Sequence, residues 1–296
     1  MVGRLHILAL VALLIGAMVV ASPVRAQVET WECEPAPIPA ASPESTPEAT
    51  PGAAVEFPAE GGDLTVFAAA SLTDAFEQLA DNIAAANPNI EITFNFGGSQ
   101  SLVTQLSEGG AEADVLALAS ASQMTNAIDA GIPVESSTIF ARNLLTVVVP
   151  SDNPAGIASV ADLGKDGIRL VLANPEVPAG NYAGQALCKF AESLEDEQPN
   201  YLADVADNVV SEEENVRAVL TKVELGEADA GIVYVSDAMT SGDAVIAIEI
   251  PAEHNVVAEY PIAALSDDPL ADAFVAYVLS PAGQAILETY GFALPA

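Results

Sequence analysis

FAAASLTDAF, at Phe67–Phe76, gives the clearest indication of the fold: an apolar run ends in three alanines, and a serine follows them. A strand-like run, LTVFAAA, leads into this serine, and SLTDAFEQLADNIAAAN has the apolar spacing of a helix. Small side chains suit a strand-to-helix turn where backbone N–H groups approach another molecule closely. Ser71 and Asp74 have capping-box spacing, so we expect Ser71 to cap the helix that follows.

The same alternation of strand and helix signals continues along the chain. It recurs in IEITFNFG then SQSLVTQLSEG, in ADVLALA then SASQMTNAIDAG, and in a second series that includes LLTVVVP, IRLVLAN and AGIVYV. Apolar runs rich in Val, Ile and Leu, each followed by a helical segment, predict an α/β fold with largely parallel sheets. Further small-residue turns lie at Phe96–Ser101 and at Pro178–Gly180, and Ser211 with Glu214 repeats the capping spacing.

These turns have two interpretations. A single one is explained by the need of every helix for a cap. The other interpretation is that several of these turns converge and form an anion site, because a helix start offers unpaired N–H donors and partial positive charge.

Composition excludes some classes of partner. The chain has 296 residues, 51% of them hydrophobic, with 8 Lys+Arg against 42 Asp+Glu and a net charge of -34. Because no basic patch is available, we expect no nucleic acid and no anionic membrane surface as a partner. The acidity predicts a well-solvated surface that favours solubility.

The N-terminal part indicates export. Residues 1–26 place Arg4 before an apolar run and end on a small-x-small pattern at Val24–Ala26, which predicts a cleaved signal peptide and a periplasmic or extracellular location. An uncleaved membrane anchor is the alternative. Residues 27–62 have the composition of a Pro-rich linker. For Cys33 and Cys188, a disulfide and two free thiols both remain open.

Taken together, the folded part resembles the molybdate-binding proteins of bacterial ABC uptake systems. The resemblance covers residues 63–296 and rests on TVFAAASLTDAF, FNFGGSQSLVTQL, ADVLALAS, NPEVPAGNYAGQAL, ENVRAVLTKVELGEADAGIVYVSDA, EYPIA and SPAGQAILETYGF, in that order. It implies a two-lobed periplasmic-binding-protein fold of type II, with lobe one at 63–141 plus 257–296 and lobe two at 142–256. It also implies a monomer that captures molybdate or tungstate between the lobes, without a cofactor, and delivers it to a membrane permease.

The resemblance assigns the ligand contacts one at a time. Ser71 and Ser99 are expected to give a hydroxyl and a backbone N–H, Ala179 and Val216 a backbone N–H, and Tyr234 a phenol O–H. It implies no catalytic residue and no bare metal ion.

Two features depart from the family pattern. Gly97, Gly98 and Gln100 stand where relatives often have more serine, and the acidic run 212–214 precedes Val216. We expect these glutamates to point to solvent. Asn143 is either a support for the crossover between lobes or a plain turn residue. Tyr260–Pro261 is expected to mark the return crossover and to bend as a hinge, with a strand edge as the alternative.

Other functions stay open as alternatives. The ligand in such a site is alternatively sulfate, phosphate or another small anion. A serine hydrolase would have to use Ser71 or Ser99 with His254, which is expected to lie on the surface. A cell-surface interaction protein is supported only by the linker and the acidity.

Overall fold

The computed structural model describes residue 33 and residues 55–194 and 197–295. The predicted signal peptide and most of the predicted linker therefore lie outside the described residues. No single helix in the described part is long and apolar enough to cross a membrane, although the bent pair Pro269–Leu279 and Pro281–Thr289 meets that test jointly by length and composition.

The described residues alternate between strands and helices, as the sequence predicts. The strands are β1 Gly62–Ala69, β2 Ile90–Gly97, β3 Val115–Ala117, β4 Thr138–Asn143, β5 Leu145–Pro150, β6 Leu170–Ala173, β7 Val209–Glu213, β8 Ala230–Tyr234, β9 Val245–Glu249 and β10 Ala258–Ala264. The helices are α1 Thr73–Ala86, α2 Ser99–Ser107, α3 Ala121–Asp129, α4 Pro178–Ser193, α5 Tyr201–Asn208, α6 Val216–Glu224, α7 Val235–Thr240, α8 Pro269–Leu279 and α9 Pro281–Thr289. Short 3-10 helices lie at Ala70–Leu72, Val160–Gly164 and Gly242–Ala244.

The strands form two mixed five-stranded sheets, and each sheet with its helices forms one lobe. The first sheet has the order β2-β1-β3-β10-β4, and the second has the order β7-β6-β8-β5-β9. In each sheet the strands that precede the helix starts run parallel to one another. One strand in each sheet, β10 in the first and β5 in the second, is inserted antiparallel to them. This arrangement confirms the predicted α/β class. The exact lobe boundaries stay a prediction.

Burial follows from the apolar runs. Every residue of β5 and β6 is buried, which suits strands that helices cover on both faces. In the first lobe Phe76 of α1 packs against Phe140 and Phe274, and all three rings are fully buried. This packing of helices on the sheets fixes the helix starts relative to the strand ends.

The crossovers between the lobes lie at Leu144 and between β9 and β10. Asn143 supports the first of them, because its Nδ2 donates to Ser236 Oγ (2.8 Å) and its Oδ1 accepts from Leu144 N (3.0 Å). The expectation that Tyr260–Pro261 marks the return crossover is wrong. Both residues lie inside β10, where a register shift between them accommodates a proline that cannot donate to the ladder.

A disulfide joins Cys33 to Cys188 of α4, with a sequence separation of 155 residues. It decides between the two cysteine states that the sequence leaves open. The bridge attaches the start of the predicted linker to the second lobe, although the linker leads into β1 of the first lobe.

Candidate functional site

The structure brings all five sequence-predicted ligand residues to one cavity between the two lobes. The first lobe contributes Ser71 and Ser99, and the second contributes the other three. The full lining is Ala69, Ala70, Ser71, Gly97, Gly98, Ser99, Ala119, Val177, Pro178, Ala179, Asn215, Val216 and Tyr234. All of these residues are uncharged, and most of them are small.

Helix starts surround this cavity because each follows the carboxyl end of a strand. Ser71 lies in the short 3-10 helix after β1, and Ser99 is the first residue of α2. Ala179 is the second residue of α4, and Val216 is the first of α6. The first N–H groups of a helix have no partner within the helix, so this arrangement presents several donors and several dipole ends to one point.

The capping at these turns differs from the sequence prediction. Ser71 is not a cap, since it lies inside the 3-10 helix and its Oγ contacts the hydroxyl of Tyr260 (2.9 Å). Ser211 is not a cap either, because it lies within β7. Asn215 caps α6 instead, with its Oδ1 accepting from Ala218 N (3.0 Å), which leaves the first amides of that helix available.

Each serine hydroxyl has one hydrogen-bond partner among the described residues. Ala119 N donates to Ser99 Oγ (3.0 Å), so the Ser99 proton is directed elsewhere. Ser71 Oγ lies 2.9 Å from the Tyr260 hydroxyl, and either oxygen can donate this hydrogen bond. When Tyr260 donates, the Ser71 proton is free to point into the cavity. Tyr260 is fully buried, and sequence reasoning did not identify it as part of the site because it lies far from Ser71 along the chain.

Tyr234 carries the strongest sign of a missing ligand. Its side chain is 1% exposed, and its hydroxyl has no hydrogen-bond partner among the described residues. Burial, together with the nearby Tyr260, raises the pKa of Tyr234 well above its ordinary value, so the phenol stays protonated. An unpaired buried donor is costly, and an acceptor placed in the cavity would remove that cost.

The acidic run before α6 does not enter the cavity. Glu212 and Glu214 are exposed, as expected, whereas Glu213 is half-buried and pairs with Lys222.

Gly98 and Gln100, which depart from the family pattern at the second turn, take part in the contact between the lobes. A Cβ at Gly98 would lie 2.4 Å from the Glu214 carbonyl oxygen, and Gln100 Nε2 donates to the same oxygen (3.2 Å). The lobes therefore touch across the cavity.

Two other places are separate from this site. His254 is half-buried and packs edge-to-face on Phe190 of α4, outside the cavity lining, so it supplies no base to Ser71 or Ser99. A larger cavity of about 640 Å³ lies beside the disulfide and is lined mainly by α4, α5 and the segment between them. It contains none of the predicted ligand residues.

These features are those of a two-lobed solute-binding protein. The family model for bacterial extracellular solute-binding proteins matches residues 64–293, and the chain belongs to that family.

Several similar proteins are named for the anion or the element that they bind or transport. The chain is 41% identical over 242 residues to the molybdate-binding protein ModA of Mycobacterium tuberculosis, covering 80% of this chain and 87% of that protein. It is similar to the solved substrate-binding domain of a putative molybdenum ABC transporter from Clostridium difficile, with 27% identity, a TM-score of 0.57, and coverage of 79% and 99%. It is also 27% identical to a sulfate-binding protein of Synechococcus elongatus, over 79% of this chain and 74% of that protein.

Proposed function

We propose that this protein captures molybdate or tungstate outside the cytoplasm and delivers it to the permease of an ABC transporter. The observation that carries the proposal is the uncharged cavity of donors, in which the buried Tyr234 hydroxyl has no partner among the described residues. The similarity to a molybdate-binding protein at 41% identity, against 27% for the sulfate-binding protein, supports the same ligand.

The donor set favours a fully ionised tetrahedral dianion. Such an anion offers only acceptors, which match the hydroxyl protons of Ser71, Ser99 and Tyr234 and the amides of Ala179 and Val216. A protonated phosphate must itself donate a hydrogen bond, which would require one of these hydroxyls to accept rather than donate. Donors left unpaired by a wrong ligand cost about 1–3 kcal/mol each, so the cage discriminates by chemistry.

Fixed dipoles replace formal charge in this site. In a chain with a net charge of -34, the partial positive charges of several helix starts act at short range, while the surface charge is screened by salt over about 10 Å. The size of the anion then separates molybdate and tungstate from the smaller sulfate. When the lobes close, the donors of one lobe stand at a fixed distance from the donors of the other, and a smaller anion does not span that distance. The protein works as a monomer that releases its ligand to the permease when the lobes open.

A thermal melt with each anion tests the proposal. The exported protein is melted alone and with molybdate, tungstate, sulfate or phosphate, and ligand at a thousand times its dissociation constant adds about 4 kcal/mol to the free energy of unfolding. We expect large shifts with molybdate and tungstate only, and smaller shifts in Ser71→Ala and Ser99→Ala, because each variant lacks one hydrogen bond worth about 1.5–3 kcal/mol. A shift with sulfate instead would assign the alternative ligand, and no shift with any oxyanion would refute the proposal.

A further inference from the structure

An arginine outside the cavity connects three of the turns that line it. Arg217 follows Val216 at the start of α6, and its guanidinium pairs with the carboxylates of Asp74 and Asp237. Asp74 lies three residues after Ser71, and Asp237 lies three residues after Tyr234. One cation thus holds together the turns that carry three predicted donors.

The two ion pairs differ in their place in the fold. Asp237 belongs to α7 of the second lobe, as Arg217 does, and its side chain is 0% exposed with Oδ1 lying 2.8 Å from Arg217 Nε. Asp74 belongs to α1 of the first lobe and is 37% exposed. Among the ion pairs of the described residues, the Arg217–Asp74 pair alone joins the two lobes.

Lobe opening affects only one of these pairs. Separation of the lobes would break the contact with Asp74 and leave the contact with Asp237 intact. The free energy of the Asp74 pair is therefore available only when the lobes touch, and an interaction confined to one conformation shifts the population toward it. Neutralisation of two carboxylates beside the cleft also limits their repulsion of an anion.

We propose that Arg217 is a positioning residue for the anion site, which acts as a latch by pairing with Asp74 across the cleft and holding the three donor turns in their closed spacing. This inference rests on the proposed function for its ligand and concerns how tightly the closed lobes retain it. The latch slows dissociation of the anion without touching it.

Asp74→Asn tests the latch, because it removes the pair between the lobes and leaves the buried Asp237 with its partner. Asp81→Asn is the matched control, since Asp81 is exposed on the same helix α1 and the charge change is the same. Loss of a negative charge near an anion site would by itself strengthen binding, whereas loss of the latch weakens it. The sign of the effect therefore separates the two explanations.

We expect Asp74→Asn to bind molybdate about fivefold more weakly, through faster dissociation, while Asp81→Asn binds no more weakly than the wild type. Asp74→Glu should retain most of the affinity, and the free energy of unfolding of unliganded Asp74→Asn should fall by no more than the equivalent of the fivefold change, about 1 kcal/mol. A merely structural role would cost more stability than affinity. Affinity in Asp74→Asn equal to or tighter than in Asp81→Asn would overturn the latch.

Small-angle X-ray scattering of the unliganded proteins gives a readout that needs no ligand. A larger radius of gyration in Asp74→Asn than in the wild type supports the latch, whether or not the wild type binds an oxyanion. Absence of oxyanion binding by the wild type would refute only the proposed function. Identical radii together with unweakened binding, or with no binding in any variant, would overturn the latch.

Discussion

Tyr234→Phe should weaken ligand binding without destabilising the free protein. The substitution removes a buried hydroxyl that has no partner among the described residues and keeps the ring that packs against Tyr260 at a centroid distance of 5.8 Å. A hydrogen bond to a charged group contributes about 1.5–3 kcal/mol, which corresponds to a loss of affinity of about 10- to 150-fold. Since the free protein loses only an unpaired donor, its free energy of unfolding should stay the same or rise by up to about 1 kcal/mol.

Tyr201→Phe is the matched control for this prediction. The Tyr201 hydroxyl is buried in the second lobe and donates to the Val160 carbonyl oxygen (2.7 Å), outside the cavity lining. Its loss should lower the free energy of unfolding by about 1 kcal/mol and leave molybdate affinity unchanged. Calorimetric titration measures the molybdate affinity of each variant, and urea unfolding measures its free energy of unfolding. Wild-type affinity in Tyr234→Phe would refute the reasoning that this hydroxyl awaits an acceptor.

Three further predictions concern closure, pH and the disulfide. Gly98→Ala places a Cβ 2.4 Å from the Glu214 carbonyl oxygen, so molybdate titration should show affinity about tenfold weaker, whereas unchanged affinity would mean that the lobes need not touch there. Burial raises the pKa of Asp237 to about 6, so the native state holds a proton that the unfolded state has lost, and this contribution to stability falls as pH rises from about 4 to about 6. Asp237→Asn should remove that fall from urea-unfolding free energies measured across the same range, and an identical pH profile would contradict it. Loss of the Cys33–Cys188 bridge in the double Ser variant should lower the free energy of unfolding by about 2–4 kcal/mol, and an unchanged urea midpoint would show that the bridge does not stabilise the fold.

The fold and the cavity were predictable because strand and helix signals are local. Ser71 and Ser99 each follow a strong strand, and parallel strands bring such turns to the same edge of a sheet. Contacts between distant segments were not predictable in this way. Tyr260 meets Ser71 only because β10 inserts into the first sheet, and nothing in its own neighbourhood indicates that contact.

The capping errors have a physical cause as well. Ser71 and Ser211 have the spacing of caps, but spacing does not reveal that a 3-10 turn or a strand continues through them. Asn215, one residue before α6, supplies the side-chain cap that the pattern had assigned to Ser211. The Arg217–Asp74 pair likewise depends on which lobes close over each other, which no local pattern encodes.

Calorimetric titration of the purified, ligand-free protein with molybdate, repeated in an excess of sulfate, is the most direct test of molybdate capture. We expect one molybdate bound per chain, with an affinity that sulfate does not reduce. Absence of binding by folded, ligand-free protein, or displacement of molybdate by sulfate, would contradict it.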